Sequence, residues 1–208
     1  MTATATVHLP IAPEDRARAD LYALLARLYA RGPDAALLAR VAAAPALPPG
    51  EGDSRLSEAW NGLRAASAAI GAESADEEYT SLFIGIGKSD LDLHASHWVV
   101  GARSERPLVR VRADLARLGL ARLPDVAIYE DHLATLCEAM RVLIVGDGSR
   151  PPSPIDEQKQ FFDAHLGPWI DACCNAICKH ALANLYRYVA QLTQVLVAIE
   201  RDAFAIDQ

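Results

Sequence analysis

In every long segment of this 208-residue chain, apolar residues recur three and four positions apart, and glycine or proline stands at most of the breaks between segments. That spacing lines one face of an α-helix, whereas a half-buried strand needs strict alternation. No stretch alternates, so the pattern predicts an all-α fold. Composition agrees. Hydrophobic residues make up 51%, enough for a sizeable core, while aromatics are only 6% and alanine and leucine dominate. Those residues suit helix packing more than a sheet.

The first helix is predicted over about 14–31, with Leu21, Leu24, Leu25, Leu28 and Tyr29 as its stripe and Gly32-Pro33 as its end. Asp34 caps a second helix to about 44, and a Pro/Gly-rich turn leads to a third at about 54–70. A fourth starts near Ser74. Pro107 stands early in the helix that ends at Gly119. Pro124-Asp125 opens the most regular helix, about 125–145, whose stripe includes Val126, Tyr129, Leu133, Leu136, Cys137, Met140, Leu143 and Ile144. Helices at about 155–166, 168–179 and 181–205 follow the breaker-rich loop at 146–154. Trp169, Phe162 and Leu166 stand near a helix junction and are expected in the core. The chain is read as one domain, 14–208, behind a flexible tail at 1–13. A monomer or weak homodimer is expected, and the Pro-rich loop could serve as a hinge for helix exchange.

The formal net charge of −7 argues against nucleic acid or an anionic membrane as partner, and is compatible with a basic peptide. No run approaches the length of a membrane span, so no membrane insertion is expected. The start, MTATATVHLPIAPEDRARAD, lacks a basic region followed by an apolar core, so it does not read as a signal peptide and the expected compartment is the cytoplasm. Cys137, Cys173, Cys174 and Cys178 do not form a disulfide framework. Cys174 and Cys178 share a helical face, where packing is the better account.

One segment departs from the helical pattern. Residues 77–104 begin as a helix carrying Tyr79, Leu82 and Phe83 on one face, then break at Gly85 and Gly87. About twenty irregular residues follow, holding Asp90, Asp92, His94, Ser96, His97 and Trp98. Compact domains seldom keep a loop of that length unless it is functional or disordered, and its apolar content argues against disorder. The loop therefore reads as a binding element on a helical scaffold.

A second candidate is Glu130-Asp131-His132. Within a helix over 125–145, Asp131 falls opposite the apolar stripe and His132 on its flank. An exposed carboxylate there could meet a cation of a partner, with the imidazole beside an apolar groove. Against this stands a plain solvated aspartate and a boundary histidine. His94 and His97 with Asp90 and Asp92 permit an alternative reading, a helical metal-binding protein or enzyme, although no third ligand has convincing spacing. Gly85-Ile86-Gly87-Lys88 resembles a phosphate loop only superficially, because the glycine spacing is short and a helix precedes it. No nucleophile–base arrangement is readable, and no cofactor-binding motif is present.

Taken together, three segments resemble the TorD-like family of redox-enzyme maturation chaperones, which includes the DmsD and NarJ types. Glu78-Tyr79-Thr80-Ser81-Leu82-Phe83 with Gly85 is similar to the family's acidic-aromatic-x-x-Leu-Phe-x-Gly. Glu130-Asp131-His132-Leu133 is similar to its Glu-Asp-His-hydrophobic stretch, and Phe161-Phe162-x-x-His165-Leu166-x-Pro168-Trp169 to its aromatic-x-x-His-Leu-x-Pro-Trp signature. Many members carry Pro-aromatic-x-Ser-x-aromatic in the central loop. Here Leu93 and His94 replace the first two, while Ser96 and Trp98 keep the last two. The GIGK run and this divergent loop look like the subgroup associated with formate dehydrogenases.

The resemblance implies an all-helical fold and no catalysis, and the sequence names no cofactor. It implies a cytoplasmic, system-specific chaperone that binds a molybdoenzyme precursor, often at a twin-arginine signal peptide or else at another client segment, until the cofactor is inserted and the enzyme is exported or assembled. The partner would be the catalytic-subunit precursor, in this subgroup a formate dehydrogenase. Tyr79, Leu82, Phe83, Ser96, Trp98, Asp131 and His132 are the residues expected to line the client-peptide site. Asp131 would attract the arginines.

Overall fold

A computed structural model describes residues 11–48, 54–85, 89–99, 106–123, 126–148 and 150–206. Ten α-helices follow one another among the described residues: α1 (Pro13–Ala30), α2 (Ala35–Ala43), α3 (Ser54–Ala69), α4 (Ala72–Tyr79), α5 (Ala95–Trp98), α6 (Pro107–Arg117), α7 (Leu133–Val145), α8 (Ile155–His165), α9 (Ile170–Lys179) and α10 (Leu185–Ile206). No strand occurs among the described residues, so the all-α reading holds. None of the described helices is long and apolar enough to cross a membrane. Of the predicted tail, residues 1–10 lie outside the described residues.

Helices α1 and α7 form the central pair, and α10 packs against α1, α3 and α9. The faces that meet are those the periodicity marks. Tyr22, Leu25, Leu28 and Tyr29 of α1 are buried, as are Leu133, Leu136, Cys137, Met140, Leu143 and Ile144 of α7. Leu21 and Leu24 stand at the edge of the α1 face, partly buried against the same core. Trp169, Phe162 and Leu166 are all enclosed, as expected, and the Trp169 indole donates to the His165 carbonyl at 2.6 Å.

Buried charges are satisfied across elements. Glu200 on α10 is fully enclosed and accepts two bonds from the Arg18 guanidinium of α1, at 2.6 and 2.8 Å. Arg18 also reaches Asp15 and Gln158, so one guanidinium joins α1, α8 and α10. Glu78, at the end of α4, accepts the backbone amides of Asn184, Leu185 and Tyr186 at 2.9, 3.1 and 2.8 Å. These are the orphan donors of the α10 N-terminus. Their capture by Glu78 explains why α10 starts at Leu185, later than the apolar pattern alone suggests.

Two local departures shape the candidate site. The α4 helix widens into a π-helical turn over Thr80–Ile84, closed by Gly85 N–H on the Thr80 carbonyl at 2.8 Å. Gly85 then takes φ 64°, a conformation favouring glycine, and turns the chain out of the helix. Gly87 lies outside the described residues. The other departure is larger. The helix expected over 125–145 begins only at Leu133, and 126–132 run irregularly before it. Leu133 N–H donates to the Leu93 carbonyl (2.8 Å) and Ala95 N–H to the Asp131 carbonyl (2.9 Å), a short antiparallel bridge between loop and segment. The His132 imidazole Nδ1 accepts the Ala134 amide at 3.1 Å and so caps α7. These long-range and capping bonds outweigh the helical propensity of 126–132.

Candidate functional site

A cleft of about 340 Å³ opens between the π-helical turn, the 89–99 loop and the segment before α7. Its apolar lining includes Tyr79, Phe83, Ile84, Leu93 and Ile128; Asp92, His94, Tyr129 and His132 supply the polar groups. Behind it, Phe83 packs edge-on to Tyr186 at 5.0 Å between ring centroids, with Tyr79 at 5.3 Å from Phe83. Tyr79 is anchored by its hydroxyl, which donates to the Tyr29 carbonyl at 3.2 Å. The aromatic wall is therefore a rigid part of the core that reaches the cleft at one edge.

The cleft's mouth is unusually apolar. Ile84 is 57% exposed and Tyr129 55% exposed. A second cleft of about 480 Å³ adjoins it, sharing Ala30 and Ile128. That one runs between α1 and α7, floored by Ala26, Ala134, Ala139 and Val142, with Leu123 and Val126 exposed beside it. Segment 126–130 thus lies between two openings with large apolar side chains facing solvent.

The Glu130-Asp131-His132 triplet ties three elements together. Glu130 pairs with Arg112 of α6 at 3.0 Å and lies 3.6 Å from Arg122. Partial burial opposes its ionisation, but the bonds from Arg112 win and hold the carboxyl below its ordinary value. Asp131 is 2% exposed. Its Oδ2 accepts the Ser96 amide at 3.1 Å and the Ser96 hydroxyl at 2.5 Å, capping α5 from across the chain. The expectation of a solvent-facing Asp131 is therefore corrected, because the helix that would have turned it outward does not form there. A plain solvated aspartate is equally ruled out.

His132 is also buried. Burial first, and then the nearby His94, lower its pKa to about 4, so the ring is neutral at pH 7. With Nδ1 accepting from Ala134, the proton sits on Nε2.

The remaining expected residues divide. Tyr79, Phe83 and His132 line the cleft, whereas Leu82 is fully enclosed in the core and does not reach it. Ser96 and Trp98 hold the loop in shape, Ser96 through Asp131 and Trp98 by donating its indole N–H to the Asp92 carbonyl at 2.8 Å. One continuous surface bearing all seven residues is thus not formed.

The carboxylate that does line the cleft is Asp92. Its Oδ1 accepts the His94 amide and the His94 Nδ1, each at 2.8 Å. Desolvation works against the charge, but these bonds outweigh it and keep the Asp92 carboxyl below its usual value. An aspartate whose side chain can take the amide two residues on is a readable turn signal, and Asp92-Leu93-His94 carried it. Asp90, grouped with Asp92 in the metal reading, turns instead to His180 at 3.3 Å. Among the described residues no three His, Cys, Asp or Glu side chains are placed to hold a metal ion together.

The model of the nitrate reductase delta subunit family matches residues 50–175, a span that contains all three signature segments. No curated protein matches the chain.

Proposed function

The chain belongs to the nitrate reductase delta subunit family, a family of molybdoenzyme maturation chaperones, and from that membership we propose that it holds a client precursor by a peptide segment seated in the Tyr79–Phe83–His132 cleft. The client is a molybdoenzyme catalytic subunit of the formate dehydrogenase type, bound in the cytoplasm before cofactor insertion. The segment is its N-terminal peptide, with or without a twin-arginine signal. The protein acts by holding, as a monomer or weak homodimer, and carries no catalytic step of its own. Leu82, Ser96, Trp98 and Asp131 serve the site indirectly, by fixing the wall and the loop.

The observation that carries this reading is the cleft itself. A rigid aromatic wall ends in an opening whose rim exposes Ile84 and Tyr129. Apolar side chains around a polar-dotted cavity suit an extended peptide with hydrophobic residues. The net charge of −7 favours encounter with a basic segment.

The test is titration of the precursor's N-terminal peptide into wild type and Ile84→Asp. A charge at this exposed rim position should weaken binding about tenfold or more while leaving the melting curve unchanged. Equal affinity in both proteins moves the site elsewhere.

A further inference from the structure

Charge is unevenly spread along this chain. From Arg106 to Arg122 the sequence holds five arginines and one carboxylate, Asp114, although the formal net charge of the whole is −7. On α6, Arg106, Arg110 and Arg117 fall within about 40° of one another around the helix axis and span about 16 Å along it. All three are exposed, and none lines either cleft. Arg106 and Arg110 make no hydrogen bond or ion pair among the described residues. Arg117 meets Asp114 through Nε at 3.4 Å, and the other Asp114 oxygen is taken by His165 at 2.8 Å, so the one carboxylate of α6 is committed. Burial chiefly lowers the His165 pKa, and the charges of Arg110 and Arg117 push the same way, so both guanidiniums gather on its side of the helix. Arg112 turns to the other flank, where it pairs with Glu130.

Two features make this face a poor one to leave bare. Arg106 is the N-cap of α6 and Arg110 closes its first turn, which holds no acidic residue, so both stand against the positive end of the helix dipole. Beside the arginines runs an exposed strip of Val109, Ala113 and Ala116, at the i, i+4, i+7 spacing on which a second helix packs. Val109 is 48% exposed.

We infer that this face of α6 docks an amphipathic helix of a partner protein, with its apolar residues on Val109, Ala113 and Ala116 and its carboxylates on Arg106, Arg110 and Arg117. An acidic helix answers the arginines in charge, and the small side chains at 113 and 116 let it approach closely. A nucleic-acid duplex or an anionic bilayer spreads its charge over a wider area and would also face the acidic remainder of the chain. The strip lacks the Leu, Phe or Trp side chains with which an interfacial helix enters a bilayer. This surface stands independently of the client-segment reading.

The experiment titrates a synthetic helical peptide into the protein, read by fluorescence anisotropy. The peptide carries leucines at i, i+4 and i+7 flanked by glutamates, and a second peptide has glutamine in place of each glutamate. At about 50 mM salt, wild type should favour the glutamate peptide about tenfold or more, and the preference should shrink at about 300 mM. Arg106→Glu combined with Arg110→Glu should bind both peptides alike. That variant should melt no lower than wild type, because carboxylates suit the start of a helix. Arg16→Glu combined with Arg40→Glu changes the net charge equally, at exposed positions of α1 and α2, and should keep the preference.

Equal affinity of wild type for the two peptides overturns the inference, as does binding of neither. Loss of the preference in the Arg16 and Arg40 variant would trace it to net charge and overturn the inference as well. Tighter binding to duplex DNA, or to vesicles of phosphatidylglycerol and phosphatidylcholine, than to the glutamate peptide would assign the face to that polyanion instead.

Discussion

One oxygen of the Asp131 carboxylate accepts both the backbone amide and the hydroxyl of Ser96, at 3.1 and 2.5 Å. The two residues stand 35 positions apart, on the segment before α7 and on the short α5 of the central loop. A carboxylate this enclosed contributes to folding. Asp131→Ala should cost about 1–3 kcal/mol in urea melts, because the Ser96 amide loses its acceptor. Asp131→Asn should cost less, since an amide oxygen can still accept one of the two bonds. A change below about 0.5 kcal/mol for Asp131→Ala would count against the cap.

Glu78 predicts a similar dependence at the other end of the site's wall. Its carboxylate serves three amides at the start of α10. Glu78→Ala leaves them unpaired and should destabilise by about 2–3 kcal/mol. Amide hydrogen exchange should accelerate first at Asn184, Leu185 and Tyr186, before any global change. Uniform acceleration across α10 would indicate general loosening instead of a lost cap.

The neutral His132 sets an acid limb. Its folded pKa of about 4 lies below the unfolded value of about 6.5, so between these pH values the unfolded chain binds more protons. Stability should therefore rise with pH across that window and fall as pH drops through it, by on the order of 2–3 kcal/mol. His132→Asn keeps an oxygen for the Ala134 amide and removes the titration. It should flatten the limb in melts taken across about pH 4–7. Some slope should persist, because burial also lowers His165 against the pull of Asp114. An unchanged limb in His132→Asn would place the titration elsewhere.

Much of the scaffold was legible from local pattern. The stripe of α1, its end at Gly32-Pro33 and the Asp34 cap of α2 follow from side-chain spacing and from bonds made within a turn or two. The Asp34 carboxylate takes the Leu37 amide at 2.8 Å, an interaction four residues can form alone. The loop after Phe83 announced itself by its length. Two of the three signature segments, 78–85 and 130–133, pointed to the region of the cleft, although Asp131 and Leu82 face inward there, while the third, 161–169, belongs to the core.

The sequence by itself therefore determined the helices, because their free energy is local: propensity, caps and one apolar face per segment. The tertiary structure alone decided the segment 126–132. There Val126, Tyr129 and Leu133 keep helical spacing, yet the segment is held out of the helix by partners in the 89–99 loop, remote in sequence. Asp131 gains the Ser96 amide and hydroxyl, and Leu133 gains the Leu93 carbonyl. Those bonds bury a carboxylate that helical geometry would have left in water, and the acceptor lining the cleft becomes Asp92 instead. No window of local sequence contains both sides of that exchange.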